Sequence, residues 1–207
     1  MQKLAIILVV FITSLLNAQS NYENGMGKAF ELWRSNNPLE ASNMFERIAN
    51  AEPDNWLPPY YAAQINIVNS FGLKDEKQLT AQLKKAQDFI NDATAISKNN
   101  PEILVLQALL YTAWVAYDGA AYGMTMSPKV VALYEQAEQI APENPRVVYC
   151  KAEWNIGGAR YFGQDTKPFC TELERSLELF TNFKPESPFH PNWGENRVKM
   201  LLESCKG

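Results

Sequence analysis

Phe89-Ile90-Asn91-Asp92-Ala93-Thr94-Ala95-Ile96-Ser97-Lys98-Asn99-Asn100-Pro101 is the stretch on which the reading of this 207-residue chain turns. Phe89, Ala93 and Ile96 stand at offsets of 0, 4 and 7, which places them on one face of a helix with 3.6 residues per turn. Pro101 follows at offset 12. Lacking an amide hydrogen, it cannot continue a helix but suits the first position of the next one. The same offsets recur in three other sets: Ala41, Phe45, Ile48 and Pro53; Leu133, Ala137, Ile140 and Pro145; Leu173, Leu177, Phe180 and Pro185. Four such sets in order predict a repeat architecture in which each unit is a helix pair stacked on its neighbour.

Capping signals fill in the map. Asn100-Pro101-Glu102 and Asn144-Pro145 read as an N-cap followed by a helix start. Asn37-Pro38 with Glu40, Ser127-Pro128, and Thr166 to Pro168 announce the second helix of a hairpin in the same way. The pattern predicts helices near 22–35, 38–51, 57–70, 76–98, 101–118, 128–141, 146–160 and 167–182, forming four antiparallel hairpins. A ninth helix near 193–205 closes the end, opened by Asn192 with Glu195 three residues on, a capping-box arrangement. It carries Val198, Leu201, Leu202 and Cys205 on one face and Glu195, Arg197, Lys199 and Glu203 on the other, as a capping helix should.

The second-helix pattern of a small or apolar residue, then Phe or Ala, then Ile, then Pro resembles that of tetratricopeptide repeats. The resemblance implies an all-α solenoid of about four antiparallel helical hairpins with a C-terminal capping helix, its concave face lined by the first helices. The prolines recur at spacings of 48, 44 and 40 residues, longer than the roughly 34 of that family, and the extra residues are expected in the turns within hairpins. Trp33, Tyr60, Tyr61, Trp114 and Trp154 occupy the first helices without one fixed register. The stretch from Phe183-Lys184-Pro185 through Trp193-Gly194 to Cys205 looks like the end of small exported bacterial proteins of this repeat class, a likeness that implies no defined activity.

Residues 1–18 have an early cation at Lys3, an apolar run from Leu4 through Leu16 and a small-residue exit at Ala18, the plan of a cleaved signal peptide. The run is short of the roughly 20 apolar residues a membrane span needs. No cysteine follows it before Cys150, so a lipid-modified N-terminal cysteine is not expected. Residues 19–207 are expected to form a single helical repeat domain, periplasmic or secreted, with no membrane span after cleavage. Loss of Lys3 leaves 18 cations against 23 acids, and a net charge of −5 without basic runs argues against nucleic acid as partner.

No catalytic set assembles. His190 is the only histidine, and a structural or simply exposed loop residue is expected there. Gly157-Gly158 and Gly163 lack the Lys-Ser/Thr of a phosphate loop, and the carboxylates have neither calcium-loop spacing nor a shared helix face. The expectation is therefore a protein without enzymatic activity, cofactor or metal.

Two stretches, Asp118 to Met126 and Gly157 to Asp165, read as long turns inside successive hairpins, which stacking would align along one edge. Tyr117, Tyr122, Met124, Met126, Arg160, Tyr161 and Phe162 are the candidate partner-binding residues, since Met and aromatic side chains suit such surfaces. The bland alternative is that these side chains fold inward over the hairpin ends. The first functional reading is a scaffold for a protein or peptide partner, using the concave face and this edge. The second is a small-molecule or glycan-binding accessory protein, with a stacking pocket near Trp114, Tyr117, Tyr122 and Tyr161. Of three cysteines, Cys170 and Cys205 fall at equal height on adjoining antiparallel helices and are expected to form a disulfide. Cys150 is left as a buried free thiol.

Overall fold

The structure, a computed structural model, describes residues 21–205. The expected signal peptide lies outside the described residues. The described chain is helical: α1 over 21–34, α2 Pro38–Ala51, α3 Leu57–Val68, α4 Glu76–Ile96, α5 Pro101–Tyr117, α6 Gly119–Ile140, α7 Pro145–Tyr161, α8 Lys167–Asn182 and α9 Glu195–Cys205. Consecutive helices pack as antiparallel pairs, and α3 touches α5 while α5 touches α7, so α3, α5 and α7 form an inner layer.

Local chemistry sets most of the helix ends. Asn100 Oδ1 accepts from the Glu102 amide, and Asn144 Oδ1 accepts from those of Arg146 and Val147, with proline at the next position in each case. Asn36 and Asn99 turn the chain after α1 and α4 at φ of 59° and 55°, a left-handed conformation asparagine tolerates better than most residues.

The repeat positions form much of the core. Ala41, Phe45, Ala93, Ala137 and Leu173 are buried, and a fully buried large apolar side chain is worth roughly 1.5–3 kcal/mol. Ile96 and Ile140, at the third position of their sets, are instead exposed, each as the last residue of its helix. Two apolar clusters result, one on α1–α5 and one on α5–α9, and Leu109, Tyr111 and Trp193 touch both.

Three expectations are corrected. Residues 119–126 are no turn: they are the first two turns of a 22-residue α6, started by Asp118, whose Oδ1 accepts from the Ala120 and Ala121 amides at 3.0 Å each. Pro128 lies inside that helix, so Ser127-Pro128 does not start one. The extra length per unit therefore sits partly in longer helices, and α7 likewise continues to Tyr161 through the glycines at 157 and 158. Finally, α9 begins at Glu195, so Asn192 is not its cap. Gly194 precedes it at φ +112°, and a Cβ there would stand 2.5 Å from Tyr149 Cε1, so both the backbone and the space require glycine.

The segment 183–194 between α8 and α9 lies along the inner layer at the N-terminal ends of α3 and α7. Phe189 stacks on Phe30 and meets Tyr22 edge-on, and its carbonyl accepts from the Tyr61 hydroxyl at 2.8 Å. Trp193 Nε1 donates to the Tyr60 hydroxyl at 2.7 Å. This part of the inner layer, where an open concave face for a partner was expected, is covered by the chain itself.

Candidate functional site

At the other end of the inner layer, the C-terminus of α5 and the 70–74 turn enclose an open cleft of about 290 Å³. Gly72, at φ +90°, makes the turn, and Phe71, Leu73 and Tyr117 provide apolar wall while Lys74 and Asp118 stand at the rim. Phe71 leaves 43% of its surface in solvent, unusual for its ring. Behind Tyr117, the Trp114 and Tyr122 rings lie 4.8 Å apart.

Both tyrosines tie this corner to the start of α4. The Tyr117 hydroxyl donates to the Lys74 carbonyl at 3.4 Å, and the Tyr122 hydroxyl donates to Glu76 Oε1. The Glu76 hydrogen bond raises the Tyr122 pKa above the ordinary phenol value and so holds it protonated. Asp118 is committed to capping α6, leaving Lys74 as the ionic side chain at the rim available to a ligand.

The remaining candidates divide. Tyr161 and Phe162 leave α7 as an edge-to-face pair, rings 5.0 Å apart, 73% and 72% exposed. Arg160 does not join them in a patch: its Nη2 donates to Ser204 Oγ on α9 at 3.1 Å. Met124 is exposed on α6 and Met126 half-buried. The contacts of the α5–α6 group run to α4 and those of the α7 group to α9. The common edge of two aligned turns is absent because the first turn does not exist.

Cys170 and Cys205 are bonded, with Cα atoms 6.1 Å apart. A shallow depression of about 320 Å³ lies beside that bond between α8 and α9, its apolar floor limited to Leu177 and Leu202. Cys150 is a buried free thiol whose pKa burial pushes well up, which leaves it unreactive. Among the described residues no group of three or more His, Cys, Asp or Glu side chains is arranged to hold a metal, and no helix is long and apolar enough to cross a membrane.

One polar site was not anticipated. Arg146 and Glu102, both withdrawn from water, pair through Nε to Oε2 at 2.7 Å and Nη2 to Oε1 at 2.6 Å, and Asn144 Nδ2 also donates to Oε1 at 2.6 Å. The Phe183 ring covers the guanidinium at 4.4 Å. Nothing in the spacing of 102 and 146 marks them as a pair except that each follows an Asn-Pro helix start, which puts both on equivalent turns of neighbouring inner helices.

The fold defined by these elements is an all-helical array of stacked antiparallel pairs. Among solved structures it is similar to the HusA haemophore from Porphyromonas gingivalis, with a TM-score of 0.79 over 89% of this chain and 92% of that one. Sequence identity is 21%, so the likeness is one of fold. No family model matches the sequence, and no curated protein matches it.

Proposed function

We propose that this chain is an exported, non-enzymatic binding protein for a flat hydrophobic small molecule of the porphyrin class, taken up at the α4–α5–α6 corner. The observation that carries the reading is the cleft itself, with Phe71 exposed and Tyr117 half-buried in its wall and the Trp114–Tyr122 pair beside them. The fold shared with a haemophore supports it. At about 290 Å³ the cleft is at the lower end of the roughly 300–1,000 Å³ of ordinary ligand pockets. It cannot enclose a bulky molecule, but it can stack one edge of a planar ring system, which aromatic faces do well. Lys74 at the rim suits a carboxylate on that ligand.

The test is titration of the purified protein with hemin and, separately, with metal-free protoporphyrin, followed by ligand absorbance and tryptophan fluorescence. Binding is expected to shift the absorbance and quench Trp114, and Phe71→Ala or Tyr117→Ala to weaken it about tenfold, the loss of one stacking contact. Absence of binding, or binding that neither substitution alters, overturns the reading.

The exposed Tyr161–Phe162 pair favours a second reading, a protein partner docked at the end of α7. The double variant Tyr161→Ser, Phe162→Ser separates the two, since it should leave the porphyrin titration unchanged.

A further inference from the structure

The segment 183–194 is held to the inner layer by side chains, not by a backbone ladder. Pro185, Pro188 and Pro191 have no amide to donate. Its hold on α3 consists of the Tyr61–Phe189 and Trp193–Tyr60 hydrogen bonds together with ring contacts. His190 sits in the middle of this, its side chain only 11% exposed, edge-on to Trp56 at 6.0 Å and 5.9 Å from Phe183. The other face of the Phe183 neighbourhood is the buried Arg146 guanidinium.

Three charged groups act on His190. Arg146 on α7 opposes a proton there, while Glu102 on α5 and Glu186 on the segment itself favour one. Both Glu102 oxygens are already engaged by Arg146 and Asn144, so its charge is largely spent. Glu186 Oε2 stands 3.8 Å from Nδ1, but that side chain is 86% exposed and water screens it.

We propose that residues 183–194 are an acid-released strap: protonation of His190 puts a second cation into a pocket withdrawn from water and facing the charge of Arg146, and lifts the segment from α1 and α3, baring Phe30, Trp56, Tyr60 and Tyr61. Burial, the largest cause, lowers the imidazole pKa from its ordinary 6.5. The neutral ring therefore belongs to the closed strap. Above pH 6.5 the contribution of the neutral ring to closure is fully present, and as pH falls from there toward the lower closed-state value the open form takes up the proton first, so closure weakens. An exported protein meets such pH changes directly, and histidine is the side chain that responds to them.

Amide exchange by mass spectrometry, on the full protein between about pH 7.5 and 5 and corrected for intrinsic rates, reads the strap directly. Peptides covering 183–194 and the start of α3 should lose protection several-fold on acidification while those of α5 and α6 hold theirs. His190→Gln should abolish the change, and Glu186→Gln, which removes the one screened compensation, should enlarge it. A strap equally protected across the range, or equal acid opening in His190→Gln, overturns the proposal. Should His190→Gln fail to fold, the imidazole titration in the unaltered protein decides by nuclear magnetic resonance: a value at or above the ordinary one shows that the closed strap does not resist the proton and overturns it, and a value below supports it.

Discussion

Among the described residues Arg146 is the largest side chain wholly removed from water, and the buried Glu102 balances its charge. Replacing the pair together exchanges two desolvated ions for packing, whereas removing one leaves the other buried and uncompensated. Arg146→Met is therefore expected to cost about 3–5 kcal/mol, read from urea denaturation midpoints, and the joint change Glu102→Leu, Arg146→Met distinctly less. Asn144 was legible in the sequence as a cap because the Asn-Pro signal is local. Its second hydrogen bond, from Nδ2 to Glu102, spans 42 residues and left no local trace. The same holds for the surroundings of His190, expected as a structural or simply exposed loop residue: its contact with Trp56 lies far away in sequence.

At the scale of elements, the apolar period along the second helices was readable because burial repeats with the helix turn. The α5–α6 corner was misread because Gly119, Gly123 and Pro128 are all breakers by propensity, and Pro128 by about 3 kcal/mol. The cap at Asp118 and the length of the α5–α6 contact override them. Asp118→Ala should cost about 1 kcal/mol and raise amide exchange over residues 119–126, with α5 unaffected. Fraying there would also loosen the Tyr122 contacts to Trp114 and Glu76 beside the candidate cleft. Ala137, fully buried on α6, marks a close helix approach, so Ala137→Leu should lower stability by about 1–3 kcal/mol in chemical denaturation. An unchanged midpoint would show that the α6 face is slack. The Cys170–Cys205 bond spans 35 residues, and Cys170→Ser should lower stability by roughly 3–4 kcal/mol on the loop-entropy model, with a matching drop in melting temperature.

Across the whole molecule, the two apolar clusters are joined where Trp193 of the C-terminal segment meets Tyr60 on α3 and Tyr149 on α7. Burial pushes the pKa values of Tyr60, Tyr61, Tyr134 and Tyr149 upward, so each phenol stays protonated in the fold beyond the pH at which it ionises in the unfolded chain. The stability they contribute is complete below pH 10 and is lost as pH rises above it. Tyrosinate absorbance should therefore lag behind that of a denatured control and then rise together with loss of helical circular dichroism; full ionisation with the helices intact would contradict the burial described. The disulfide adds a topological consequence. Because it joins the two helices on either side of residues 183–194, that segment belongs to a closed covalent ring and is not a free arm. Once lifted it stays at high local concentration over the surface it has left. A peptide bond cut anywhere within it leaves two chains that travel as one molecule until a thiol reagent parts them.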